Sequence, residues 1–240
     1  MKIQGCLLLI ASTFMMGCAS VSLDQETHSP AFVPRLPPDQ IYLYHWETDK
    51  AEFNVDRDDA ELIEFKENLA RYFTDALQER VNKHIATTTM IRSESEIIKQ
   101  LTQLDPDDVP ESIWIIRGGF SLVNQGSRAL RAAIGFGAGG TKLETYVTVS
   151  YWDGMQEIPF YRFQTTGGSN AEPGAISAVG PGGILVTSLS AAASAGGGLA
   201  KGLTDDSTRT ARVITAALSD YLFQQGWIPE NKRMVPKRID

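Results

Sequence analysis

The 240-residue chain contains only two cysteines and three histidines, and neither set has the spacing that its usual chemistry needs. Cys6 and Cys18 both fall within the first 18 positions, so the remaining chain offers no thiolate ligand, cysteine nucleophile or internal disulfide. His28, His45 and His84 sit in three different segments, and no two of them have metal-ligand spacing. A serine nucleophile elbow is missing, because no Gly-x-Ser-x-Gly occurs. Excess positive charge is missing as well. A formal net charge of -7 excludes a general nucleic-acid binder, which needs a basic face to displace counterions from phosphates. The acidic pairs Asp58-Asp59, Asp107-Asp108 and Asp205-Asp206 fall where helix caps and loops are expected. Together these absences leave no metal, no cofactor and no catalytic constellation to expect.

What is present first is an address. Lys2 precedes an apolar run from Cys6 to Met16, too short to span a bilayer and shaped like the core of an export signal. Met15-Met16-Gly17-Cys18 resembles a bacterial lipobox, with Met15 in place of the usual Leu. The expectation is a signal peptide over 1–17 and lipidation of Cys18. Several acyl chains, at about 0.8 kcal/mol per buried methylene, suffice for lasting attachment to a membrane. By the sorting rule for such lipoproteins, Ala19 after the cysteine implies the outer membrane, with the body in the periplasm. Residues 18–40, with Pro30, Pro34, Pro37 and Pro38, read as an extended tether. The tail over 229–240 is basic and reads as mobile.

Between them, 41–228 reads as a single α+β domain. Its expected form is a largely antiparallel five-stranded sheet covered by two long helices and one or two short ones. Strands are predicted at 41–46, 85–91, 113–123, 143–152 and 157–165, the last two joined by Asp153-Gly154 as a hairpin. The clearest helix spans 59–83, where Leu62, Phe65, Leu69, Phe73, Leu77 and Val81 recur at three and four residues behind an Asp58 cap. Ser93 opens a short helix. A last one follows Asp205, Asp206 and Ser207 and stops at Gly226. The first strand-helix-strand unit suggests one parallel crossover.

The stretch GFGAGGTK, Gly135 to Lys142, contains G-x-G-x-x-G and ends near a phosphate-loop pattern. A dinucleotide loop needs those glycines after a strand and before a helix, where amide donors meet the pyrophosphate. Here they follow a short helical stretch, Ser127 to Ile134, and precede a strand, so they read as a turn and no nucleotide is expected. Arg117, Arg128, Arg131 and Lys142 are the candidate contacts for an anionic ligand or a partner's carboxylate near that turn; solvated, locally paired charges are the alternative. The Gly/Ala/Ser-rich segment 173–202 carries no charge from Pro173 to Ala200. Ser188, Ala192, Gly196 and Ala200 form a ladder of small residues four apart, candidate contacts for self-association. A packed or flexible loop and a membrane contact remain open for the same segment.

The block VNQGSRALRAAIGFGAGGTKLETYVTV, with FQTTGGSN after it, resembles a family of Gram-negative lipoproteins described as domain of unknown function 4410. The resemblance implies an envelope lipoprotein and brings no activity or catalytic residues with it. In element order alone the chain is also similar to auxiliary lipoproteins of envelope lipid transporters. The expected role is therefore a non-enzymatic structural or accessory binding component of the envelope. Its expected partners are the membrane, through Cys18, and an envelope protein or a second copy. A lipid-transport auxiliary and a hydrolase with spatially assembled carboxylates stand as alternatives.

Overall fold

The computed structural model describes residues 20–29, 33–126, 140–169, 199 and 201–239. Its elements run β1 (Ser20–His28), β2 (Gln40–Tyr44), β3 (Glu52–Asn54), α1 (Asp59–His84), β4 (Thr87–Ile91), α2 (Glu94–Thr102), β5 (Ile113–Asn124), β6 (Thr141–Trp152), β7 (Glu157–Ser169) and α3 (Lys201–Gln224).

The strands form one α+β mixed sheet in the order β1-β7-β6-β5-β2-β4, with β3 beside the second half of β5. Pairs β1/β7, β7/β6 and β6/β5 are antiparallel, whereas β2/β4, β2/β5 and β3/β5 are parallel. The expectation of a largely antiparallel five-stranded sheet is thus corrected to a mixed sheet of seven strands among the described residues. The hairpin signal at Asp153 reveals antiparallel neighbours. Parallel β2 and β4, joined through α1, are the crossover that the first strand-helix-strand unit suggests, whereas no local pattern announces the parallel pairing of β2 and β3 with β5.

Strand alternation separates two cores. Leu43, Trp114, Ile116, Phe120, Leu143, Val147 and Phe163 face α1 and α3. The next residues along, Tyr42, Tyr44, Ile113 and Ile115, face the other way and meet Ile97 and Leu101 of α2. Helix α1 forms because its apolar positions fall on one stripe and Asp58 Oδ1 accepts from the Glu61 amide at 2.9 Å, which caps its first turn. Its Phe73 packs tilted against Trp46 and edge-on against Phe120, at ring centroid distances of 4.6 and 5.2 Å. Burying each such side chain contributes about 1.5–3 kcal/mol before entropy is counted. No described helix is long and apolar enough to cross a membrane.

Four segments differ from their expected form. Residues 20–28, read as tether, are strand β1, with Val21 and Leu23 buried. The tail, read as mobile, runs beside β1: the Leu23 amide donates to the Lys237 carbonyl at 2.7 Å and the Ile239 amide to the Leu23 carbonyl at 3.1 Å. Strand β1 is therefore flanked on both sides, by β7 and by the tail. Gly167 and Gly168, beyond the predicted strand end at 165, lie inside β7, where a Cβ on Gly167 would strike the Val21 side chain. Helix α3 starts at Lys201, so Asp205, Asp206 and Ser207 lie within it rather than capping it. Asp206 is buried and accepts from Thr141 Oγ1 at 2.5 Å, tying α3 to β6.

At Gly118 and Gly119 in β5, the segment after β2 comes down onto the sheet. A Cβ on Gly118 would run into the Trp46 ring and lie 2.6 Å from the Tyr146 carbonyl oxygen. Gly118→Ala is expected to destabilise the fold by about 1–3 kcal/mol through overpacking, with Trp46 displaced. Urea unfolding followed by tryptophan fluorescence measures both, and wild-type stability would contradict this account.

Candidate functional site

Of the residues the sequence nominates, Cys18, Arg128, Arg131, Ser188, Ala192, Gly196 and Ala200 lie outside the described residues. Arg117 and Lys142 are described and do not converge. Arg117 lies over the Tyr44 ring, 3.4 Å from its centroid, and its Nε donates to both Glu157 carboxylate oxygens at 2.8 and 3.0 Å. Burial alone would lower its pKa, but the Glu157 hydrogen bonds and charge outweigh that and raise it. Lys142 pairs with Glu144 at 2.6 Å. Arg117 sits opposite Thr148 and Lys142 opposite Asn124, seven β5 positions apart, or about 20 Å at strand rise. Both cations are committed to neighbours on the sheet, which corrects the expectation that these two join one anionic site.

A different place has the shape of a site. A cleft of about 640 Å³ lies between residues 44–49, the α1 residues Glu67, Asn68, Ala70 and Arg71, and Arg92 after β4. It opens where β2 and β4 end. The His45 amide, donating to the Ile91 carbonyl at 3.1 Å, holds those two ends together. Trp46 is 1% exposed, and its indole Nε1 has no hydrogen-bond partner among the described residues. His45 is exposed; its pKa is lowered, first by desolvation and then by Arg92, with Asp75 opposing. Glu47 is held elsewhere, accepting from the Tyr146 hydroxyl at 2.6 Å and lying 3.6 Å from Lys50 Nζ. Arg71 donates to the Asn68 side chain at 2.7 Å. Among the described residues neither the Arg71 nor the Arg92 guanidinium forms an ion pair, though the Arg92 amide donates to Glu96 Oε2 at 3.1 Å. No described group of three or more His, Cys, Asp or Glu side chains could hold a metal ion.

A second polar cluster joins both ends of the chain. A bulge between Asp24 and Thr27, with Gln25 at φ 48°, carries Glu26 toward the helical side. There Glu26 accepts from Tyr161 Oη at 2.7 Å and from Arg238 Nε at 2.8 Å. Arg238 also reaches the buried Asp220 carboxylate of α3 at 2.7 Å, which Arg233 meets at 2.6 Å. His28 stacks on Tyr161 at 4.5 Å, and Tyr161 stacks on Tyr221 at 5.4 Å. Burial pushes the Tyr221 hydroxyl up to about 12. For Glu26 and Asp220 burial acts upward, but the arginine hydrogen bonds outweigh it and both pKa values are lowered. This cluster is a clamp rather than an open site, because its charges are paired with one another.

The fold, then, is an α+β sheet with a cleft at the ends of its parallel strands and a clamp at its antiparallel edge. The sequence matches the family described as Domain of unknown function (DUF4410) over residues 41–185, and the chain belongs to that family. Among solved structures it is similar to the PelC dodecamer from Paraburkholderia phytofirmans, at 9% identity and a TM-score of 0.33, covering 80% of this chain and 97% of that one. It is also similar to a neuraminyllactose-binding hemagglutinin homolog from Helicobacter pylori, at 10% identity and a TM-score of 0.36, covering 82% of this chain and 93% of that one. No curated protein matches the chain.

Because the folded-state carboxyl pKa values are depressed, the clamp's contribution is full above the ordinary carboxyl range near pH 4 and is lost as the pH falls through the lower folded values. Arg238→Ala is expected to cost about 1–2 kcal/mol at pH 7, less than the about 3–5 kcal/mol of a fully buried pair. The discount reflects that Arg238 is 36% exposed and that Arg233 still holds Asp220. At pH 2 the cost should largely vanish. Urea unfolding at the two pH values tests this, and an equal loss at both would refute it.

Proposed function

We propose that this protein is a lipoprotein of the outer membrane, anchored through Cys18 and facing the periplasm, and that it serves the envelope as an accessory binding component rather than as an enzyme. The observation that carries the reading is the position of β1. It begins at Ser20, two residues after the lipobox-like cysteine, and two residues reach at most about 7 Å. A lipid on Cys18 would therefore hold the rim of the sheet at the bilayer rather than suspend the domain on a tether.

The register fixes which rim that is. Ser20 pairs with Gly168, Thr141 with Ser169 and Lys142 with Asn124, so β1, β7, β6 and β5 all end there. Gly126 and Gly140, which flank 127–139, lie at this rim, as do Ser169 and the start of α3, which flank the Gly/Ala/Ser-rich segment. The uncharged run from Pro173 to Ala200 is thus connected at the face the anchor would turn toward lipid. The motif resemblance to Gram-negative lipoproteins supports the same reading. The accessory binding role rests on the cleft at the ends of β2 and β4.

Metabolic labelling with radioactive palmitate is expected to mark the wild-type chain, and Cys18→Ala should abolish the label and release the protein from the membrane fraction. An unlabelled wild type would refute the anchor.

A further inference from the structure

We infer that residues 237–239 are an edge guard: they occupy the outer side of β1 and keep that strand from pairing with β1 of a second copy of this chain. The guard is independent of the anchor and of the cleft.

A strand at the edge of a sheet presents unpaired amide and carbonyl groups, a template on which another chain can add. Among the described residues this sheet has outer edges at β1, β4 and β3, and each is closed differently. Strand β3 is three residues long and offers little to pair with. At β4, side chains of α1 reach over the edge: Asn82 Oδ1 accepts from the Thr88 amide at 3.0 Å, and Gln78 Nε2 donates to the Thr88 carbonyl at 3.1 Å. Just beyond β4, the Arg92 amide donates to Glu96 Oε2 at 3.1 Å, so Met90 stands between two blocked positions. Gln78 and Asn82 each follow a buried residue, Leu77 and Val81. That cover cannot leave without opening the core.

At β1 the cover is the chain's own end. Leu23 turns both its amide and its carbonyl away from β7, and the alternation of an antiparallel pair turns those of Val21 the same way. The Leu23 groups are met by the Lys237 carbonyl and the Ile239 amide. Arg238, between them, grips Glu26 and Asp220, and Lys237 Nζ reaches Ser20 Oγ at 3.1 Å. All three tail residues are exposed, so hydrogen bonds and ion pairs hold them there rather than packing in the core. A terminal segment of that kind closes an edge while adding almost nothing to the interior.

What the guard excludes follows from the edges that remain. Without the tail, Ser20–Asp24 is the longest unblocked stretch, ended by the bulge after Asp24. The strand it meets in a second copy is therefore β1 itself. Antiparallel pairing centred on Ser22 sets Val21 of each copy against Leu23 of the other, and each such pair can exchange both hydrogen bonds. The arrangement is two-fold and self-complementary, the form that closed dimers take.

The test uses the full chain in detergent, carrying Cys6→Ala and Cys18→Ala, either intact or ended after Met234. Ending there keeps the Arg233–Asp220 pair and the bond from the Met234 amide to Ser219 Oγ. Ser22→Cys reports the pairing, because two residues directly opposite in a pair without mutual hydrogen bonds stand close enough for a disulfide. Under mild oxidation the shortened chain is expected to form the linked dimer about ten-fold faster or more than the intact one, as loss of the two Leu23 bonds and of Arg238 implies. Ser121→Cys, exposed on β5, should show no such difference. In the shortened chain without a reporter, Ser22→Lys sets like charges opposite each other and should return the mass measured by light scattering from dimer to monomer.

Circular dichroism establishes that each variant is folded. Ile239→Pro, which removes only the amide that meets the Leu23 carbonyl, is the milder variant and should crosslink at a rate between the two chains. Equal crosslinking at position 22 with and without the tail in folded protein, or an equal rise at position 121, would overturn the guard. If the shortened chain does not fold, Ile239→Pro decides, and crosslinking no faster than in the intact chain overturns it.

Discussion

Two adjacent glycines in the central strand let the chain leaving β2 lie directly on the sheet, and the rest of the architecture depends on that close approach. Gly118 makes room for the Trp46 ring, and Gly119 for the backbone and side chain of Glu47. With side chains there, Trp46 would lose its place against Phe73 and Phe120, and the hydrogen bonds from Glu47 to the Gly118 carbonyl and from Phe120 to the Glu47 carbonyl could not form. Those bonds continue the parallel edge of β5 from β2 to β3 across a break in regular pairing. The break also leaves the cleft above it. Core, sheet edge and cleft thus share one steric requirement.

That requirement explains much of what sequence reading reaches and misses. The stripe of α1, the Asp58 cap, the hairpin at Asp153-Gly154 and the stop at Gly226 are local, and each appears where its pattern places it. Strand β1 escapes because it contributes only Val21 and Leu23 to the hydrophobic core, and its partners lie some 140 residues on in β7 and at the far end of the chain. Strand β3 escapes because three residues carry no period. The glycines of β7 fall outside the predicted strand because nothing nearby says that Val21 presses against them.

The candidate site was even less legible. Arg71 looks like one of many solvent-facing charges on α1, and Arg92 like a loop residue. His45 attracts notice only as a metal ligand without a mate. They meet because β2, α1 and β4 fold as one crossover, a relation that no short spacing encodes. Arg117 drew attention for its charge, yet Glu157, forty positions later, pairs with it across the sheet. Arg117 is structural because a carboxylate faces it, and only the folded chain shows that pairing.

The stitching of β1 between β7 and the tail has a mechanical meaning. A pull on the chain ahead of Ser20 acts along the axis of the strand, so its hydrogen bonds to β7 and to residues 237–239 are strained together in shear rather than opened one after another. The paired carboxylates of Glu26 and Asp220, gripped by Arg238, lie at the far end of that strand and resist its sliding. Force entering at the N-terminus is thereby spread over the sheet, the last helix and the C-terminal residues at once.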